Sequence, residues 1–88
     1  MSEGARYASP GPDAEAAIEV EIEVPGGPVY FRIPASTLSR AFGLASDSRE
    51  AMFKVFIDKK FGIWPKLSAK IPRMFVGEVY TVTAQDLG

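Results

Sequence analysis

The sequence predicts a small α+β protein with the element order ββααβ, in which two helices pack on one face of an antiparallel sheet. Three observations lead to this fold class. Residues 18–24 alternate apolar and glutamate side chains, which is the period of a strand that buries one face. A Pro-Gly-Gly-Pro turn then leads into a second alternating run at residues 29–33. Beyond two segments with helix signals, residues 78–83 are β-branched and aromatic and favour a third strand.

The first two strands are predicted to form a hairpin around a four-residue loop at residues 25–28. With Val24 paired to Val29, the apolar side chains face each other in two further pairs, Ile22–Phe31 and Val20–Ile33. The same register places Glu21 opposite Arg32 on the solvent face, where a cross-strand pair of opposite charges is stabilising.

The first helix is predicted over residues 34–43. Pro34 suits its first turn, because proline needs no backbone donor there, and Gly43 suits the C-terminal cap. The end of the chain has the spacing of one further capped turn, with Thr83 three residues before Asp86.

The second helix is predicted to begin at Asp47, with Glu50 three residues further on as in a capping box. It runs to Pro72, which ends it. Pro65 lacks a backbone donor and collides with the preceding turn, so a kink or short break is expected over residues 61–65.

Residues 1–16 are rich in Ala, Gly, Pro and Ser and show no periodicity, which predicts a flexible tail. Residues 17–88 are then the single α+β domain, in keeping with a chain of 88 residues. Neither a signal-peptide core nor a run of apolar residues long enough to span a membrane is present in the sequence. We therefore expect a cytoplasmic protein without a membrane partner.

The chain contains no cysteine and no histidine. Disulfides, thiolate zinc sites and cysteine nucleophiles are thereby excluded, and the most common general base and metal ligand are missing. The glutamates at 19, 21 and 23 are typical of a solvated strand face that resists edge pairing. We expect no enzyme, no cofactor, no metal site and no small-molecule substrate.

The net charge of −1 hides an uneven distribution. Residues 1–24 carry six acids and one base, whereas residues 54–73 carry six bases and one acid. On a continuous helix, four of those bases would share one face: Lys59, Lys66, Lys70 and Arg73. Such a stripe could contact the phosphates of a nucleic acid or an acidic protein, but it is also typical of a solvated helix face.

Three features of the chain resemble a small bacterial family of unknown function. They are the segment IPASTLSRAFG, the spacing of Phe53 and Phe56 to Ile63 and Ala69, and the ending YTVTAQDL. Family members have a strand ending in Ile, a short helix with Ala-Leu and Phe-Gly, a longer helix, and a closing Tyr-x-Leu-Thr-x-x-Asp-Phe. This chain has Val82 and Leu87 in place of the family's Leu and Phe, and Pro65 and Pro72 interrupt its longer helix. The resemblance covers roughly residues 29–87 and implies a compact α+β fold, without an activity or site residues.

The sequence thus predicts a non-catalytic accessory or regulatory protein that acts through protein contacts. A homodimer is favoured, because ten aromatic residues are more than so small a core can hide. Met74, Phe75 and Val76 form a candidate interaction patch if they lie on the surface; the alternative is that Phe75 packs under the sheet. The alternative function is a nucleic-acid-binding module that uses the basic helix face.

Overall fold

In the structure, a computed structural model that describes residues 3–88, a four-stranded sheet carries its helices on one face. The elements in chain order are β1 (Glu3–Ala8), β2 (Ala17–Val24), β3 (Gly27–Pro34), α1 (Ala35–Phe42), α2 (Arg49–Asp58), α3 (Lys60–Ser68), a 3-10 turn (Ile71–Arg73), β4 (Val79–Thr81) and α4 (Ala84–Leu87). The predicted α+β class is confirmed. No helix within residues 3–88 is long and apolar enough to cross a membrane.

The sheet has the strand order β1-β2-β3-β4 and is mixed, not antiparallel as predicted. β1, β2 and β3 pair antiparallel, whereas β4 pairs parallel to β3. β4 takes this direction because the chain returns to the hairpin end of the sheet, where the Gly77 N–H donates to the Pro28 carbonyl at 2.7 Å. At the other end of β4 the Val82 N–H donates to the Arg32 carbonyl at 2.8 Å.

The core lies between the sheet and the helices. The alternating positions of β2 and β3 supply its first layer: Ile18, Val20, Ile22, Val29, Phe31 and Ile33. The helices supply the second layer: Leu38, Met52, Phe56, Ile63 and Leu67. Fully burying each such side chain stabilises the fold by about 1.5–3 kcal/mol. The opposite face of the sheet carries no helix from the described residues 3–88 and is called here the open face.

The predicted flexible tail at residues 1–16 is wrong for residues 3–8, which form β1 and pair with β2 along their whole length. The strand has little apolar content of its own, and pairing with β2 supplies its backbone hydrogen bonds. Tyr7 helps to hold it, because its hydroxyl donates to the Asp47 carbonyl at 2.8 Å. Residues 1–2 of the predicted tail lie outside the described residues.

The hairpin between β2 and β3 closes with two residues, Pro25 and Gly26, and not with the predicted four. Gly26 has a φ of 98°, and proline followed by glycine with positive φ is the sequence of a type II turn. The shorter loop shifts the register by two, so the actual pairs are Ile22–Val29, Val20–Phe31, Ile18–Ile33 and Glu19–Arg32. The predicted pairs are wrong, but each side chain keeps its predicted face because strands have a period of two.

The helix starts agree in part with the prediction. α1 follows Pro34 and ends at Gly43, whose φ of 82° suits a cap without a Cβ. α2 is capped by Ser48 and not by Asp47, because the Ser48 hydroxyl accepts the Ala51 N–H at 3.2 Å. α4 has the predicted capping box of Thr83 and Asp86.

The long helix is interrupted at Lys59, between α2 and α3, and not over residues 61–65 as predicted. Pro65 lies inside α3. Proline has no N–H to donate to the carbonyl of Phe61, four residues earlier. Because Phe61 is solvent-exposed, water can donate a hydrogen bond to that carbonyl instead. α3 also stops at Ser68, before Pro72.

Candidate functional site

The predicted basic stripe is divided among several elements. Lys59 lies in the break between α2 and α3, with its Nζ 5.9 Å from the centroid of the Phe42 ring. Lys66 in α3 donates to the Gly88 carbonyl at 3.2 Å. Arg73 is exposed at the end of the 3-10 turn. The four cations therefore do not share one face of a continuous helix.

Lys70 forms a close ion pair with α4. Its Nζ lies 3.0 Å from Asp86 Oδ1 and 4.8 Å from the centroid of the Tyr80 ring. The hydrogen bond to Asp86, together with the contact to Tyr80, raises the pKa of Lys70 above its ordinary value. The Lys70 charge is thus compensated within the chain, and the ion pair holds the C-terminal turn in place.

The second predicted site, Met74 to Val76, divides into a packed and an exposed part. Met74 packs against the core. Phe75 is 81% exposed, and Val76 and the nearby Val79 are both more than half exposed. Of the two positions predicted for Phe75, surface and core, the structure shows the surface position. Phe75, Val76 and Val79 are called the hairpin-end patch below.

The hairpin-end patch is held in place by a hydrogen bond to a side chain and by packing against the hairpin. The Phe75 N–H donates to Glu78 Oε1 at 3.0 Å, and Val76 packs against the tip of the hairpin. A Cβ added to Gly27 would lie 2.6 Å from a Val76 methyl group, and Gly27 itself has a φ of 140°. The patch therefore sits on an ordered support next to the β3–β4 edge.

The open face of the sheet holds a row of charges across three strands. Glu19 on β2 lies 3.0 Å from Arg6 on β1 and 3.2 Å from Arg32 on β3. Glu21 and Glu23 lie on the same face and form no ion pair within the described part of the chain. A shallow depression of about 690 Å³ covers this face, lined by Gly4, Ala5, Arg6, Glu19, Val20, Glu21, Glu23, Tyr30, Phe31 and Val79.

A second depression, of about 240 Å³, opens beside β1 on the side of the helices. It is mostly apolar and is lined by Gly4, Ala5, Val20, Phe53, Phe56, Ile57 and Lys60. Ile57 at its rim is 63% exposed, and Phe61, beyond the break at Lys59, is 93% exposed. Sequence reasoning missed this groove, and the available signal was two large apolar residues four positions apart, Ile57 and Phe61.

Neither a family model, a curated protein nor a solved structure matches this chain. The resemblance to a small bacterial family therefore stays a prediction. Within residues 3–88, no group of three metal-ligating side chains is placed to hold a metal ion. The features of the described surface that need a functional explanation are its exposed apolar side chains and its two sheet edges.

Proposed function

We propose that this protein is a non-catalytic accessory or regulatory module that binds a protein partner through the hairpin-end patch. One observation carries the proposal: three apolar side chains, Phe75, Val76 and Val79, are exposed together on an ordered part of the chain. Grouped exposed apolar residues are typical of surfaces that a partner covers. An aromatic residue such as Phe75 is a suitable anchor, because a few large side chains carry most of the energy of an interface.

The free edge of β4 supports the same site. The Tyr30 N–H donates to the Glu78 carbonyl, and the Val82 N–H donates to the Arg32 carbonyl, so the even-numbered residues in and next to β4 bond to β3. The backbone groups of Val79 and Thr81 consequently point away from the sheet, since alternate residues of a strand bond in opposite directions. No hydrogen bond reaches them from residues 3–88. An extended segment of a partner can add to this edge and cover Phe75 and Val79 with its side chains.

The proposal is tested by comparing the proteins that the immobilised full chain and its Phe75→Ala variant capture from a bacterial lysate. We expect Phe75→Ala to lose the captured partner, because truncating a central aromatic anchor weakens an interface by about 2 kcal/mol or more. Phe61→Ala is the matched control, since it removes a phenylalanine that is even more exposed, on another surface. Equal capture by Phe75→Ala and wild type would refute this site.

Nucleic-acid binding through Lys59, Lys66, Lys70 and Arg73 stays the alternative function, and no comparable observation favours it. Lys70 pairs with Asp86, and Lys66 bonds to the end of the chain. Nuclease treatment of half of the lysate separates the two functions. Partners that survive digestion support the hairpin-end patch, whereas partners lost on digestion and recovered nucleic acid support the basic residues.

A further inference from the structure

β1 is a second free edge of the sheet, at the opposite side from β4. The Ala35 N–H donates to the Ala16 carbonyl at 2.8 Å, so the even-numbered residues of β2 bond to β3 and the odd-numbered ones bond to β1. Glu19 and Glu21 of β2 pair with Arg6 and Gly4 of β1. The backbone groups of the intervening residues in β1, Ala5 and Tyr7 among them, therefore point away from the sheet, and no described residue bonds to the Ala5 or Tyr7 backbone.

The two depressions meet at this edge, because Gly4 and Ala5 line both of them. On the open face, the edge is bordered by Glu21, which has no ion-pair partner within residues 3–88. On the helix side, it is bordered by apolar side chains of α2, including Phe53 and Ile57. A strand that adds here needs a basic side chain toward the open face and small or apolar side chains toward the helices.

The centre of β1 has this pattern, with Arg6 on the open face and Ala5 on the helix side. We infer that the chain forms a homodimer in which β1 pairs antiparallel with β1 of a second copy, around a two-fold axis at Ala5. The inference uses the edge opposite to the hairpin-end patch and stands independently of the proposed function.

Charge complementarity selects this axis. With Ala5 opposite Ala5, Arg6 lies opposite Gly4 of the second copy, and Glu21 of the second copy is the next residue in that cross-strand row. Gly4 has no side chain, so the guanidinium of Arg6 extends across it to the Glu21 carboxylate. Arg6 already lies 3.0 Å from Glu19 of its own copy, but its side chain is 81% exposed and a guanidinium has five N–H donors, so it can bridge Glu19 and the Glu21 of the second copy. An axis at Arg6 would instead place two arginines opposite each other, which is destabilising.

The same axis satisfies the backbone and the apolar groove. The backbone N–H and C=O groups of residues 3, 5 and 7 point outward. They pair with those of residues 7, 5 and 3 of the second copy and form about six hydrogen bonds. The four-stranded sheet becomes one continuous sheet of twice that width. The two α2 helices approach each other beneath β1, where each covers the exposed Ile57 of the other.

The test is sedimentation velocity of the full chain over the micromolar range, with Ala5→Pro as the first variant. Proline at residue 5 removes an N–H that points outward and none that bonds to β2, and edge strands tolerate proline in that position. We expect a wild-type dimer and an Ala5→Pro monomer whose circular dichroism matches that of the wild type. A wild-type monomer over the whole range, or a folded Ala5→Pro variant that still dimerises, overturns the inference.

Glu21→Lys tests the pairing of Glu21 with Arg6 of the second copy, and it tests the β1–β1 dimer if Ala5→Pro does not fold. Two exposed ion pairs are lost together in the dimer, so its dissociation constant should rise roughly tenfold. Asp13→Lys is the matched control, because Asp13 is exposed in the β1–β2 connection and the change in net charge is the same. An equal effect of the two substitutions would count against the register. Loss of the dimer with retained capture through Phe75 leaves the proposed function intact.

Discussion

The Lys70 ammonium lies 3.0 Å from Asp86 Oδ1, and this ion pair ties the C-terminal turn to the segment that follows α3. Asp86 also accepts the Thr83 N–H at 2.9 Å and the Tyr80 hydroxyl at 3.1 Å. α4 has only four residues, which is too short for a helix to be stable without tertiary contacts. Asp86 therefore joins three parts of the chain: the segment after α3, β4 and α4.

Replacing Asp86 by Asn should lower the free energy of unfolding by about 1–2 kcal/mol, because a helix cap and a charged hydrogen-bond acceptor are lost together. Urea titration followed by circular dichroism measures the change. Asp58→Asn is the matched control, since Asp58 is exposed at the end of α2 and has no partner within residues 3–88. Equal stability of the two variants would show that the Asp86 contacts contribute nothing.

Stability should fall as the pH is lowered into the acidic range. Burial raises the pKa of Asp86, but hydrogen bonds from Thr83, Lys70 and Tyr80 outweigh it and hold that pKa below its ordinary 3.8. The hydrogen bond from the Ser36 N–H likewise lowers the pKa of Glu15 below its ordinary 4.5. A carboxyl with a depressed pKa in the folded state stabilises the fold above its unfolded pKa, and this stability is lost as the pH falls through the folded pKa.

Urea unfolding from pH 6 downward should show this loss of stability, and a double Glu15→Gln/Asp86→Asn variant should show a shallower loss. An equal slope in wild type and variant would contradict the role of these two groups.

Glu15 acts as a remote cap of α1. Pro34 precedes the helix and offers no side-chain acceptor, but Glu15 Oε1 accepts the Ser36 N–H at 2.7 Å. Glu15→Gln should therefore destabilise the protein by about 0.5–1 kcal/mol, through a weaker acceptor at the positive end of the helix. Thermal unfolding measures this effect. Glu23→Gln, at an exposed position of β2 without a helix to cap, should leave the unfolding temperature unchanged; if both variants fall equally, the cap is not responsible.

Two glycine substitutions should change stability in opposite directions. Gly27→Ala should destabilise the protein by more than 1 kcal/mol, because Gly27 has a φ of 140° and a Cβ there would lie 2.6 Å from a Val76 methyl group. Gly62→Ala should stabilise it by about 0.5–1 kcal/mol, because Gly62 is inside α3 and a Cβ there meets no atom within 4 Å. Chemical denaturation of both variants checks the signs. A stable Gly27→Ala protein would mean that Val76 can move away from the hairpin.

Local signals in the sequence predicted the α+β class, the buried face of each central strand and the Thr83–Asp86 capping box. Period and cap spacing are properties of short segments and are readable without the fold. β1 was not predictable in this way, since its formation depends on pairing with β2 and on the Tyr7 contact to Asp47, a distant residue.

The candidate site residues were likewise not predictable where their position depends on contacts between distant parts of the chain. The sequence predicts Lys70 on a basic helix face, because its actual pairing with Asp86 depends on how α4 folds back onto α3 and is not visible in the sequence. Phe75 could not be assigned to surface or core, since an apolar run of three residues looks the same in either place. The hairpin register was missed because a loop of Pro-Gly-Gly-Pro is compatible with closure by two residues or by four.

The strand order has a consequence for avidity. β1 and β4 lie at opposite edges of the sheet, so a dimer joined at β1 carries its two hairpin-end patches at the outer ends of one continuous sheet. Seven inter-strand spacings separate the two β4 strands, a span of roughly 34 Å. Antiparallel pairing also points the two hairpin ends in opposite directions, so the patches lie at diagonal corners of the sheet. A partner whose two binding segments span this diagonal would meet the second patch at a high effective concentration, and would bind far more tightly than either segment alone.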